Sequence, residues 1–172
     1  MTDALGTRAR LGLLVASAAV LQRGVFSHFH IFGVSPDILL LLAIAAGLTS
    51  VPERGAIVGF FAGLAFDFVI QGLIGLGALA FCLTGYVAGR MQGLSVRTSR
   101  WVPMASAAIA SIIGELLYVG VGQLVGQSHL MTDRVPRIVV VVAVVNALLA
   151  PIALRVLRWA WRVEPGYRPA YW

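Results

Sequence analysis

The sequence predicts an all-α integral membrane protein, a bundle of about six transmembrane helices. Three observations predict this class: 59% of the 172 residues are hydrophobic, only 12% are charged, and the mean hydropathy is +0.91. Because soluble domains carry about 25% charged residues, this chain has too little polar surface to cover a water-soluble globule. Lipid is the solvent that suits such a composition.

Apolar runs separated by short polar turns divide a single polytopic domain, residues 1–172, into helices. The first run follows Arg8 and Arg10 as a secretory signal would, but further apolar runs come soon after it, so we expect it to be retained. Pro36 is expected in the first turn of the second helix, and Pro151 inside the sixth, where neighbouring helices must accommodate it. The predicted helices cover residues 11–28, 36–51, 55–70, 74–89, 101–126 and 138–157.

The arginines predict an orientation. All 13 basic residues are Arg. With the N-terminus inside, ten fall in inner segments and only Arg23, Arg134 and Arg137 fall in outer loops. Arginine collects on the cytoplasmic side of membrane proteins, so both termini are expected in the cytoplasm. The same rule accounts for the net charge of +6 without nucleic acid as a partner.

No pattern in the sequence predicts an enzyme. The absence of lysine excludes a phosphate-loop lysine and a Schiff-base lysine, and the chain has no HExxH, GxSxG or paired-cysteine motif. Cys82 stands alone in an apolar run, where a cysteine packs as a small hydrophobic residue. His28 and His30 have no third metal ligand nearby. We therefore expect no catalytic residue, no metal and no cofactor.

Four polar side chains in or beside apolar runs are candidates for a special role: Asp37, Asp67, Glu115 and Asn146. Asp37 opens a predicted helix, so a capping role and a functional role both fit. Asp67 closes one, where the helix dipole disfavours an anion, which favours a packing or partner role. Glu115 is the deepest carboxylate. We expect it inside the bundle with Asn146 as a partner, joining helices, and the alternative is ion or proton translocation.

Glycines form the clearest pattern. Gly55, Gly59, Gly63 and Asp67 are spaced by four, which places them along one face of a helix. Glycine lets two helix backbones approach closely in lipid. Our hypothesis is that this face docks a helix of a partner protein. The competing possibility is that it packs against the chain's own helices.

Residues 35–90 resemble the rod shape-determining protein MreD family. The resemblance consists of a Pro-Asp pair that opens a leucine-rich helix, a glycine-spaced helix closed by Asp, and a Gly-x-x-Gly turn. The segments that carry it are residues 35–42, 52–67, 72–79 and 85–89. The resemblance implies structural or partner-binding roles for Pro36, Asp37, Gly59, Gly63, Asp67 and Gly75.

The resemblance also implies a function. Proteins of this family are non-catalytic members of the bacterial elongation (Rod) complex in the cytoplasmic, or inner, membrane. They bind MreC and, directly or through it, RodA and penicillin-binding protein 2, on the membrane side of MreB filaments. This arrangement helps couple the filaments to peptidoglycan synthesis and rod shape. Besides such partners, only membrane lipids are expected to bind.

The family fold is similar to the six-helix substrate-binding component of energy-coupling-factor transporters. The alternative function is therefore that of such a component, which would bind a vitamin or another small solute. Those proteins often dock through an Ala-x-x-x-Ala spacing in their first helix. No alanine pair in residues 11–22 has that spacing, which counts against the alternative.

The predicted orientation can be tested by labelling single cysteines in a Cys82→Ala background. Because the inner segments hold most arginines, a cysteine replacing Ser128 is expected to react with a membrane-impermeant reagent outside the cell. One replacing Ser95 is expected to be protected. Labelling at Ser95 but not at Ser128 would invert the orientation.

Overall fold

The computed structural model describes residues 2–26, 36–92, 101–127 and 132–161, which form six α-helices and one π-helical segment. The π-helical segment, Gln22–Phe26, directly follows the first helix. The α-helices are α1 (Thr2–Leu21), α2 (Ile38–Thr49), α3 (Pro52–Ile70), α4 (Leu76–Gln92), α5 (Trp101–Leu124) and α6 (Val135–Trp161). The pair His28 and His30, and the labelling positions Ser95 and Ser128, lie outside the described residues.

Several helices extend beyond the apolar runs that predicted them. α1 begins at Thr2 rather than at residue 11, and α6 extends to Trp161 rather than to residue 157. α3 begins at Pro52, which occupies its first turn, where the missing N–H of proline removes no hydrogen bond. Apolar runs indicate which residues lie in lipid. The backbone hydrogen bonds of a helix continue beyond them, through the polar residues at its ends.

The start of α2 corrects the expected place of Pro36. Asp37 has an extended backbone, with φ −104° and ψ 95°, and is the N-cap of α2. Pro36 therefore lies just before the helix rather than in its first turn. Residues that precede the N-cap lie outside the helix, and Pro36 is such a residue.

Two of the described helices, α5 and α6, are long and apolar enough to cross a membrane by length and composition. They contain 24 and 27 residues, so they are about 36 and 40 Å long and exceed the roughly 30 Å of a hydrocarbon core. α2 and α4 are apolar but shorter.

The short helix α2 is the axis of the bundle. The other five helices surround it in the order α1, α3, α4, α5 and α6, and α6 also contacts α1. Consequently residues 39–47 of α2 are all buried. A helix that is apolar on every side fits such a position.

The outer surface reverses the pattern of a soluble protein. Large apolar side chains such as Phe61 and Phe68 on α3, Leu116 on α5 and Leu148 on α6 are each more than half exposed. The buried face of α5 carries small residues instead. In water, so much exposed apolar surface is a liability, whereas against acyl chains it is the expected exterior.

The glycine face of α3 packs against α4 of the same chain. A Cβ atom added to Gly55, Gly59 or Gly63 would overlap a backbone carbonyl oxygen of α4, contributed by Gly85, Phe81 and Gly77, respectively. The two backbones are therefore in direct contact. This corrects the hypothesis that the face docks a partner helix, because α4 already occupies it.

Gly63→Ala is expected to destabilise the protein by about 1–3 kcal/mol, since the added methyl group must push α3 and α4 apart. Gly120→Ala in α5 is the matched control, because a Cβ there has no neighbour within 4 Å. Thermal unfolding of the detergent-purified variants measures both. Equal stability of the two variants would contradict the close packing of α3 on α4.

Candidate functional site

The carboxylate of Asp67 joins the end of α3 to the start of α4. Its Oδ2 accepts hydrogen bonds from the backbone N–H of Gly75 at 2.7 Å and of Ala78 at 3.3 Å, and its Oδ1 accepts one from Gly77 at 2.8 Å. The side chain is almost completely buried. Asp67 thus satisfies N–H groups at the start of α4 that have no partner within that helix.

This arrangement explains why the helix dipole of α3 does not make the charge of Asp67 unfavourable. Although an anion is disfavoured at the C-terminal end of its own helix, the carboxylate lies at the N-terminal end of α4, where an anion is favoured. The guanidinium of Arg23 occupies the other side of the α3 terminus, with Nη1 donating to the carbonyl of Val69 at 2.9 Å. Each helix end therefore meets a charge of the favourable sign.

Gly75 is the turn residue that brings α4 back to Asp67. Its φ of +104° lies in the region that disfavours side chains, and its N–H points at the carboxylate. Glycine adopts such a conformation without steric cost. The second glycine of the Gly-x-x-Gly turn identified in the sequence is therefore needed for its backbone conformation.

Asp37 caps α2 at the same end of the bundle. Its Oδ1 accepts a hydrogen bond from the backbone N–H of Leu40 at 3.0 Å, so of the two roles that the sequence left open, the structure shows capping. Gln22 supports the same turn. Its Nε2 donates to the carbonyl of Pro36 at 3.0 Å, and its Oε1 accepts from the N–H of Ile38 at 2.9 Å.

Glu115 reaches the same region from α5. It is partly buried and lies within electrostatic reach of Asp37. Tyr118, one turn further along α5, lies within reach of Asp37, Asp67 and Glu115, and its ring meets Phe66 edge-on at 5.7 Å. Three of the four predicted polar residues therefore lie within electrostatic reach of one tyrosine, which the sequence analysis did not single out.

Asn146 is the fourth polar residue and bonds to a different side chain. Its Nδ2 donates to the hydroxyl of Ser111 on α5 at 3.0 Å, and both side chains are completely buried. This corrects the expectation that Asn146 pairs with Glu115, which lies one turn beyond Ser111. The Oδ1 of Asn146 has no hydrogen-bond partner among the described residues.

The opposite end of the bundle is rich in arginine and tryptophan. The Nε1 of Trp161 donates to the Thr49 hydroxyl at the end of α2 at 3.1 Å. The guanidinium of Arg54 lies over the Trp161 ring, with Cζ 5.4 Å from the ring centroid. The sequence predicted that the sixth helix ends at residue 157, whereas in the structure α6 includes Trp161.

The surroundings of the carboxylates favour a structural role over acid–base catalysis. The carboxylates of Asp37 and Asp67 accept hydrogen bonds from backbone groups at helix ends, which holds them in place. Among the described residues no group of three or more His, Cys, Asp and Glu side chains could hold a metal ion. What the site does is fix the ends of α2, α3 and α4 relative to one another.

Comparison with known proteins identifies a family. The model of a family described as rod shape-determining protein MreD matches residues 7–159, well beyond residues 35–90, which carried the resemblance in the sequence. No curated protein and no solved structure matches. The expected similarity to the substrate-binding component of energy-coupling-factor transporters is therefore unsupported by any solved fold.

Asp67→Asn is expected to destabilise the protein by about 2 kcal/mol. Both carboxylate oxygens accept hydrogen bonds, and an amide NH₂ in place of one of them would face a backbone donor. Asp133→Asn, at an exposed position before α6, is the matched control. Thermal unfolding of both purified variants tests this, and an unchanged midpoint for Asp67→Asn would show that the carboxylate does not hold α4.

Proposed function

The chain belongs to the MreD family of rod shape-determining proteins, and we propose that it is a non-catalytic membrane scaffold of the bacterial elongation complex. In this proposal it binds MreC and, directly or through MreC, RodA and penicillin-binding protein 2. It thereby helps couple MreB filaments to peptidoglycan synthesis. The family match over residues 7–159 is the observation that carries the proposal.

The packing around α2 supports a scaffold rather than a solute-binding protein. A membrane protein that binds a small solute usually does so in a cavity between its helices. Here α2 occupies the axis of the bundle, and residues 39–47 are buried on all sides by the surrounding helices. Leu39, Leu40 and Ile44 are among the largest fully buried side chains.

The roles of the carboxylates support the same proposal. Ion and proton pathways in membranes use carboxylates that can exchange partners. Asp37 and Asp67 instead accept hydrogen bonds from fixed backbone N–H groups of α2 and α4. Only Glu115, of the three carboxylates at this end, has no hydrogen-bond partner among the described residues.

A partner helix has to use the outward faces of the bundle, because α4 covers the glycine face of α3. Those faces carry large apolar side chains, among them Leu13 and Val20 on α1 and Ile109 and Leu116 on α5. Membrane helices associate through close van der Waals packing. We propose that MreC contacts such side chains.

The proposed location is the cytoplasmic membrane, with both termini in the cytoplasm. The arrangement of α1 and α6 supports this orientation. Arg10 in the middle of α1 lies over the ring of Trp159 near the end of α6, whereas Gln22, just after α1, bonds to Pro36 and Ile38 at the start of α2. Both ends of the described chain are therefore on the same side of the bundle. Arg155 and Arg158 lie on that side as well, which agrees with the preference of arginine for the cytoplasmic side.

The scaffold proposal predicts that the charge of Glu115 is dispensable. In a rod-shaped bacterium whose own copy is depleted, both the natural chain and its Glu115→Gln variant are expected to restore rod shape and to retain MreC during mild purification. The amide keeps the shape of the side chain and its hydrogen-bonding capacity. Glu53→Gln, at an exposed position in α3, is the control.

Two outcomes would contradict the proposal. Rounded cells with normal amounts of folded Glu115→Gln protein would assign a role to the charge and favour ion translocation. A stoichiometric small solute in the purified chain, with no MreC retained, would favour the transporter component.

A further inference from the structure

An arginine patch lies where the end of α6 meets α1, and it consists of Arg10, Arg155, Arg158 and Trp159. Arg155, Arg158 and Trp159 are exposed, and Arg10 is partly exposed. On α6, Arg155 is three residues before Arg158 and four before Trp159, so the three side chains are neighbours on the helix surface. Arg10 comes from α1, with its Cζ 5.1 Å from the centroid of the Trp159 ring.

The position of Arg10 leaves its hydrogen-bond donors available. A guanidinium stacked on an aromatic ring uses its face, whereas its N–H groups point outward in its plane. Arg158 uses only its Nε, which donates to the carbonyl of Leu154 at 3.2 Å. Within the part of the chain that the structure describes, none of the three arginines pairs with a carboxylate. The patch is thus a concentration of positive charge at exposed and partly exposed positions.

An apolar stripe on α6 leads directly to this patch. Val140, Val144, Leu148 and Ile152 recur every four residues and are all more than half exposed. Arg155 and Trp159 continue the same face at the helical period. The opposite face, which includes Leu154 and Leu157, is buried against the bundle. One side of α6 therefore changes along its length from apolar to cationic, with an aromatic ring beside the arginines.

We propose that this stripe and the arginine patch bind one anionic phospholipid. Its phosphate and anionic headgroup would contact Arg10, Arg155 and Arg158, and an acyl chain would lie along Leu148 and Ile152. Guanidinium groups bind phosphate oxygens through paired N–H donors, and tryptophan favours the headgroup region. The ligand class is a diacyl lipid with a net negative charge.

The apolar stripe is what selects a lipid over a soluble phosphate compound. A soluble ligand would need only the patch, whereas the exposed side chains of Leu148 and Ile152 offer an acyl chain a continuous surface beside it. The arginines in turn favour an anionic headgroup over a zwitterionic one, because each basic residue near an anionic lipid surface strengthens binding roughly fivefold. The proposal does not depend on MreC or on any other protein.

Native mass spectrometry of the purified chain tests the proposal. The protein is equilibrated in detergent with equal amounts of phosphatidylglycerol and phosphatidylethanolamine that carry the same acyl chains. The natural chain is expected to retain phosphatidylglycerol preferentially. The Arg10→Gln/Arg155→Gln variant is expected to reduce that preference by about fivefold for each arginine removed. Excess inorganic phosphate is expected not to displace the lipid.

The matched control is Arg134→Gln/Arg137→Gln, which removes two exposed arginines at the other end of α6 and is expected to keep the preference. Equal retention of the two lipids by the natural chain would overturn the proposal. An equal loss of preference in the two double variants, or displacement by phosphate alone, would do so as well. If the first double variant does not fold, the single variants Arg155→Gln and Arg158→Gln, both at exposed positions, provide the same comparison.

Discussion

The three hydrogen bonds that the Asp67 carboxylate accepts are the interaction on which the rest of the bundle depends. They fix the start of α4 against the end of α3. The glycines of the two helices can then bring the backbones into contact over the length of the pair. The resulting two-helix wall is the largest surface against which α2 packs. In lipid, where water cannot satisfy a free backbone N–H, a buried carboxylate at a helix start removes a penalty of several kcal/mol per group.

The bundle places small residues inside and large ones outside, and this follows from its solvent. Helices in a membrane gain little from hiding leucine from lipid, so close backbone approach and buried hydrogen bonds determine how they associate. The α3–α4 pair, the Asn146–Ser111 contact and the Asp37 cap each join elements in this way. Such an interior buries α2 on all sides and leaves large apolar side chains on the outward faces of the bundle.

The two ends of the bundle differ in chemistry. At one end, Asp37, Asp67 and Gln22 bind backbone groups, so the polarity of these three side chains is satisfied within the chain. At the other, the guanidinium groups of Arg10 and Arg54 lie over tryptophan rings. Several of the arginines that predicted the orientation thus form one surface, the arginine patch. The arginine-rich end combines the exposed positive charge of Arg155 and Arg158 with the exposed ring of Trp159.

The sequence by itself determined the class of protein, the number of helices, the family and the suitability of Asp37 as a helix cap, because hydropathy, periodicity and capping are local properties. Only the tertiary structure decided that α2 is the axis, that α4 covers the glycine face, and that Asn146 pairs with Ser111 rather than Glu115. A glycine face shows that a helix packs closely, but it carries no information on which helix it meets.

The ends of α1 and α6 were also missed, because apolarity stops at the edge of the lipid while backbone hydrogen bonding continues past it. The role of Asp67 depends on a second helix 8 to 11 residues away in sequence, and only the three-dimensional turn at Gly75 brings it there.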